Sequence, residues 1–126
     1  GSVTLQRQAT KASVGYGFVS RLTTMRIEAV SDFGTAQGKI KRISYIILRL
    51  LGTRGGVYGP PNGDKDPIML RNTADPMGAT LSPFTGDSDR LLWPNGYETD
   101  GKITIEQRQP LPMTVCGITA MMEVNE

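Results

Sequence analysis

Clusters of glycine and proline set the strongest limit on the fold of this chain, because they divide it into short pieces. The 126 residues include 15 Gly and 8 Pro. Gly adopts backbone conformations that other residues avoid and Pro fixes φ, so the chain can reverse direction where they gather. Such spacing is typical of short strands and leaves no room for several helices of ~11 residues, so we expect less than about a fifth of the chain to be helical. The clusters lie at residues 52–56, 59–63, 94–96, 100–101 and 110–112.

The longest apolar stretches between these breaks are predicted to be strands. Residues 103–106 alternate, residues 113–124 are rich in apolar and β-branched side chains, and the six residues between them are expected to form a hairpin connection. Residues 40–51 are ambiguous, because four of them also fit a helical spacing, namely Ile43, Ile46, Ile47 and Leu50. The β-branched content of this stretch favours a strand.

The remaining candidate strands are short. Together with those above they give about six to eight short strands with long loops, which predicts an all-β fold, either a two-layer β-sandwich or a small barrel. Residues 72–89 lack periodicity and are expected to form a long surface loop, a common place for contacts with partners. The short candidates are residues 14–23, continuing through 27–30, then 57–58, 67–71 and 90–93.

The sequence divides into three parts. Residues 1–2 are Gly-Ser, which is typical of an expression-tag remnant. Residues 3–13 are polar with isolated apolar residues, as expected of a linker or a strand severed from an upstream domain. Residues 14–126 are expected to form a single β domain, the C-terminal module of a longer protein.

The balance of charges and the single cysteine limit the classes of function that this chain can have. The 14 basic and 12 acidic residues give a net charge of +2, too balanced for a typical nucleic-acid-binding surface. No apolar stretch approaches the ~20 residues that cross a bilayer. Cys116 lies between apolar residues and is expected to be a buried, unreactive thiol, which suits a protein folded in a reducing cytoplasm.

The chain contains no histidine, which removes the commonest general base and the commonest metal ligand. With one cysteine and no histidine it has no thiolate or imidazole zinc site. We therefore expect no catalytic, metal-binding or cofactor-binding residues. A pair of carboxylates, Asp87 with Asp89 or Asp64 with Asp66, is the remaining route to a glycan-cleaving enzyme or a calcium site, but both pairs read more simply as turn-capping residues.

Two groups of side chains are candidates for binding. The basic residues are candidates for contact with an anionic partner, although lysines at a solvated strand edge give the same pattern. The aromatic residues are candidates for stacking on sugar rings, although Trp93 beside two leucines is more typical of a core residue. The basic candidates are Lys39, Lys41, Arg42 and Arg54, and the aromatic candidates are Tyr58, Trp93 and Tyr97.

Six segments, taken in order, resemble a region near the C-terminus of large structural proteins of tailed bacteriophages and prophages, namely tail-tube, tail-nozzle or stabilisation proteins. The resemblance spans about residues 14–124, and the ordered set is more specific than any single segment. It implies a β-rich module on a ring-forming virion protein, with neither cofactor nor catalytic residue. The segments are FVSRLTTMRIE (18–28), GTAQGKIKR (34–42), LRLLGTRGG (48–56), FTGD (84–87), GYETDG (96–101) and QPLPMTV (109–115).

The sequence thus predicts a non-enzymatic virion tail module that contacts other virion structural proteins. We expect the full-length parent to be a homo-oligomer and the isolated domain to be monomeric or weakly self-associating. The competing hypothesis is a carbohydrate-binding β-sandwich for adhesion to the host surface. The exposure of Trp93 separates the two, because a buried Trp93 ring is inaccessible to a sugar.

Overall fold

The computed structural model describes residues 1–31 and 34–125, so Asp32, Phe33 and Glu126 of the predicted domain lie outside the described residues. These ranges contain no helix, which confirms the predicted all-β class and low helix content. The described strands are β1 (Ser20–Thr23), β2 (Val30–Ser31), β3 (Gly34–Thr35), β4 (Ile40–Thr53), β5 (Val57–Gly59), β6 (Asp66–Pro67), β7 (Phe84–Asp87), β8 (Leu91–Leu92), β9 (Thr104–Gln107) and β10 (Val115–Asn125).

The strands form two antiparallel sheets in a sandwich-like arrangement. The first sheet has the order β1-β9-β5-β6. The second has the order β10-β4-β7, with β8 also paired to β4, and β2 pairs with β3 separately. The two sheets together contain eight strands, which agrees with the predicted six to eight, and the separate pair of β2 and β3 adds two more among the described residues. Two of the strands are longer than expected, since β4 has 14 residues and β10 has 11.

β4 is the central strand of the second sheet. On one side it pairs with β10. On the other side the chain from Phe84 to Glu98 follows β4 in short steps, through β7, β8 and a bridge between Lys41 and Glu98. Residues 84–87 were predicted to belong to a loop, and their pairing with β4 corrects that prediction. Gly86 has a φ of 129°, a conformation that favours glycine. A glycine at this point in the sequence indicates a turn more readily than a strand.

A β-bulge explains why β4 was ambiguous in the sequence. Tyr45 pairs with Met121 and Ile43 pairs with Met122, so β4 has one extra residue at this point. An extra residue shifts the alternation of side chains by one position. Ile43 and Ile46 therefore both enter the core although they are three residues apart, which imitates a helical spacing.

A second bulge places Cys116 outside the core. Leu50 pairs with Val115 and Arg49 pairs with Gly117, so Cys116 is the extra residue on β10. Its side chain is exposed. The prediction of a buried thiol was therefore wrong, because apolar neighbours in sequence do not bury a residue at a bulge in an edge strand.

The core lies between the two sheets. The second sheet contributes buried side chains of β4 and β8, and the first contributes Tyr58 of β5 and Ile105 of β9. Burying one such aliphatic side chain contributes roughly 1.5–3 kcal/mol, so the interior of β4 is the largest local source of stability. The buried cluster comprises Ile43, Ile46, Leu48, Leu50, Tyr58, Ile68, Leu91, Trp93, Ile103 and Ile105.

The predicted hairpin between residues 103–106 and 113–124 was wrong. Both segments are strands, but β9 pairs with β1 and β5 in the first sheet, whereas β10 pairs with β4 in the second. The connecting segment crosses from one sheet to the other. The backbone of Arg54 is hydrogen-bonded to both ends of this connecting segment. Its carbonyl accepts a hydrogen bond from the Gln107 side-chain amide, and its N–H donates to the Pro112 carbonyl.

Candidate functional site

The four basic candidates do not share one surface. Lys41 is fully buried on the inner side of β4, and its aliphatic chain lies close to the backbone of Gly101. Its backbone N–H and carbonyl both bond to Glu98 across the strand bridge. The prediction that Lys41 is available to a partner was therefore wrong, because alternation along the strand turns it inward between two outward residues.

The other basic candidates differ in exposure. Arg42 is exposed, and its guanidinium lies 5.9 Å from the centroid of the Tyr97 ring, a distance at which a cation attracts an aromatic face. Lys39 is half-buried in the turn before β4, and Arg54 is half-buried beside the crossing segment. Arg42 is thus the only exposed member of the predicted set in the part of the chain that the structure describes.

The three aromatic candidates do not form a stacking platform. Tyr58 and Trp93 are only 4% and 8% exposed, and their ring centroids are 6.3 Å apart at the edge of the core. The Tyr58 hydroxyl donates to the Leu92 carbonyl at 2.7 Å. Burial and the charge of Asp66 raise the pKa of Tyr58. The sugar-stacking role of Tyr58 and Trp93 was therefore a wrong prediction, whereas the core role of Trp93 is confirmed, and Tyr97 alone remains exposed.

The predicted acidic residues lie in or beside β6 and β7: Asp66 begins β6, Asp87 ends β7 and Asp89 follows β7. The Arg49 guanidinium donates to Asp87 at 2.9 Å, and this hydrogen bond holds the pKa of Asp87 below its ordinary value. Asp64 lies in the turn between β5 and β6. Within residues 1–31 and 34–125, no group of three or more His, Cys, Asp or Glu side chains is placed to hold a metal ion. No helix in the same ranges is long and apolar enough to cross a membrane.

The densest charged cluster was not predicted from the sequence. Glu106 of β9 is only 1% exposed, and its carboxylate meets Arg21 at 2.9 Å, Arg108 at 2.9 Å and Lys65 at 3.6 Å. Burial raises the pKa of Glu106, but the hydrogen bond from Arg108 and the charges of Lys65 and Arg21 outweigh burial and lower it.

The Glu106 cluster has a structural role. The turn between β5 and β6 folds over the outer face of β9 and carries Lys65, whose ammonium also donates to the carbonyls of Pro61 and Gly63. The alternation of residues 103–106 places Glu106 opposite the core, where the sequence predicts solvent. Lys65 of this turn contacts the Glu106 carboxylate together with Arg21 and Arg108, and the position of the turn is set by tertiary packing.

The segment before β1 is the most exposed part of the chain. Residues 1–19 contain no strand. In residues 14–19, which we term the arm, apolar side chains alternate with glycine as far as Phe18, and Val19 follows directly. The four apolar residues Val14, Tyr16, Phe18 and Val19 are 68%, 97%, 70% and 53% exposed. Strict alternation is typical of a strand with one buried face. The sequence predicted a strand over residues 14–23, but only Ser20–Thr23 pairs with a neighbour in this chain.

β10 offers an open edge to match such a strand. It is the terminal strand in the order β10-β4-β7, so one side of it pairs with no other strand among the described residues. Its core-facing side chains, including Ile118 and Ala120, are only half-buried. A groove of about 290 Å³ opens beside Val115, bordered by Leu22 of β1 and by Leu111 and Met113 of the crossing segment.

No protein-family model matches the chain, and no curated protein matches its sequence significantly.

Proposed function

We propose that this chain is an assembly module of a tailed-bacteriophage virion structural protein. It is made in the bacterial cytoplasm, is carried in the virion, and binds other virion structural proteins without catalysing a reaction. The observation that carries this proposal is the arm, a strand-like segment with four large apolar side chains in solvent. Exposed apolar groups of this kind typically mark a surface that another chain covers.

The places of the resembling segments support the proposal. Residues 48–56 form the end of β4 and the turn into β5, residues 84–87 are β7, and residues 109–115 are the crossing between the two sheets. These segments supply strands and connections of the sandwich. A resemblance carried by strands and connections of this kind suits a protein that offers surface to its neighbours.

Purified particles provide the direct test. We expect mass spectrometry of gradient-purified phage particles from the host that carries the gene to detect peptides of this chain at a constant ratio to the major tail protein. The neighbouring genes should encode portal, terminase or other tail proteins. A chain that stays in the cell lysate while particles form normally, or a gene that lies in a metabolic operon, would overturn the proposal.

A charge-reversal variant tests whether the basic residues contribute. Lys41 is left unchanged because it is buried, and Lys39→Glu with Arg42→Glu are introduced together in the full-length parent. If these residues face an acidic neighbour, the double variant should lower particle yield while the domain folds normally. Arg7→Glu with Lys11→Glu is the matched control, since it makes the same charge change at two exposed positions before the arm. Equal yields from both variants would remove Lys39 and Arg42 from the interface.

A further inference from the structure

We infer that the arm of one copy of this chain pairs with the open edge of β10 in a second copy. This inference names the partner and the contact for the proposed assembly role, and its biological meaning rests on that role. Addition of an extended segment to a sheet edge is a general mode of recognition, in which backbone hydrogen bonds supply affinity and alternate side chains supply specificity. Each copy carries one arm and one β10 edge, so the same contact can repeat around a closed ring.

The edge of β10 is well suited to accept a strand. It spans 11 residues, whereas β1, at one edge of the first sheet, has 4 residues and β6, at the other, has 2. Natural edge strands are usually protected by charges, proline, β-bulges or short length. β10 contains no proline and one charged residue, Glu123. The bulge on β10, at Cys116, lies at its start, so residues 117–125 form a long edge with one charge and no proline, which is expected to pair with another strand.

The side chains of the arm match what the edge leaves uncovered. An added strand places alternate residues on the core side of the sheet, in line with the core-facing residues of its neighbour. In this position Val14, Tyr16 and Phe18 would cover the half-buried Ile118 and Ala120 and close the open side of the sandwich. The arm carries no charged residue, so it brings no repulsion to this contact.

The path of the arm favours a second copy over its own β10. β1 begins at Ser20, opposite Gln107, and the chain before it passes the end of the sandwich, where Gly15 lies against Pro110. Residues 10–13 continue along a surface shared with Arg54 and residues 80–82. β10 starts near this end and runs from Leu50 towards Ile40 of β4, so the arm would have to reverse to follow it within one chain.

Self-association of the complete 126-residue chain is the first test. We expect its average mass to rise with concentration in sedimentation equilibrium, because a single added strand forms a weak contact. Tyr16→Asp with Phe18→Asp should weaken this association by roughly tenfold or more, since both charges would enter the core side of the contact. Val3→Asp with Leu5→Asp is the matched control, with two exposed apolar residues replaced outside the arm, and it should associate like the wild type. Thermal unfolding should be the same in all three proteins, because the replaced residues are exposed.

A peptide of residues 12–20 then locates the contact. Added to the isotopically labelled Tyr16→Asp, Phe18→Asp protein, it should shift NMR signals of residues 117–125 and protect their amides from hydrogen exchange. A peptide with the same two aspartates should cause no shifts. A wild-type chain that remains monomeric at its highest soluble concentration, a control that weakens association equally, or peptide shifts at β1 or β6 would each overturn the inference.

These outcomes are independent of the proposed function. If the arm pairs with a second copy in solution but the chain is absent from purified particles, the virion role is contradicted and the inferred contact is still supported. If the chain is found in particles but its self-association does not depend on the arm, the inferred contact is contradicted and the virion role is still supported.

Discussion

β9 and β10 are consecutive strands, yet the more polar strand, β9, is the more deeply buried of the two. β9 consists of Thr, Ile, Glu and Gln, and all four residues are buried. β10 is rich in Val, Ile and Met, and each of its 11 residues is at least partly exposed. β9 lies between β1 and β5 and is covered by a turn, whereas β10 has β4 on one side only. Position within the sheet, and not hydrophobicity, therefore sets burial here.

The largest expected difference between the two strands comes from truncating a core-facing isoleucine. Ile105→Ala in β9 should lower the free energy of unfolding by about 4 kcal/mol, because the site is enclosed and leaves a cavity. Ile118→Ala in β10 should cost only about 1 kcal/mol, because its side chain is already half-exposed. Urea unfolding of both variants measures the difference. Equal losses would mean that the open side of the sandwich is covered in solution.

A second comparison concerns the glutamates of the two strands. Glu106→Gln should lower the free energy of unfolding by about 3 kcal/mol, because it leaves the buried Lys65 ammonium without its counter-charge. Glu123→Gln in β10 makes the same chemical change at an exposed site and should alter stability by no more than about 0.5 kcal/mol. Chemical unfolding at neutral pH distinguishes the two. A small effect at Glu106 would show that the three cations are resolvated without it.

The sequence predicts local features of this fold better than it predicts strand partners. The all-β class followed from turn residues, and β4 followed from its β-branched content, because both signals are carried by neighbouring residues. The hairpin prediction failed because adjacency in sequence does not decide which sheet a strand joins. The crossing at Pro110 and Pro112 sends β10 to the second sheet.

The candidate site was less predictable for the same reason. The sequence placed Lys41 in a basic cluster, but its inward position depends on which residues of β4 face the core, and bulges can shift that alternation. The Glu106 cluster joins residues from β1, β9 and the turn before β6, whose proximity depends on long-range pairing. The arm was predicted as part of a strand over residues 14–23, but the lack of a partner within the chain became visible only in the structure.

Acid pH should reduce the difference between Glu106 and its glutamine variant. The pKa of Glu106 is lowered in the folded chain, so the stability contributed by its ionised form is present above the ordinary value of 4.5 and is lost as pH falls through the folded value. The wild type should therefore lose more stability than Glu106→Gln when pH falls from neutral to below 4.5. Glu28 and Asp87, whose pKa values are also lowered, are present in both proteins and cancel in the comparison. Parallel curves of unfolding free energy against pH would contradict this role for Glu106.

The smallest expected effect on stability is at Cys116, where the exposure of β10 can be read directly. Because Cys116 is the extra residue of a bulge and its side chain is exposed, a thiol reagent should modify the folded protein rapidly and with a stoichiometry of one. The rate in denaturant is the reference, and the native rate should lie within about tenfold of it, since an exposed thiol needs no unfolding to react. Cys116→Ser should abolish labelling and change the free energy of unfolding by no more than about 0.5 kcal/mol. Labelling that is slow in the native chain and recovers only in denaturant would place Cys116 in the interior, and β10 would then resemble β9 in burial after all.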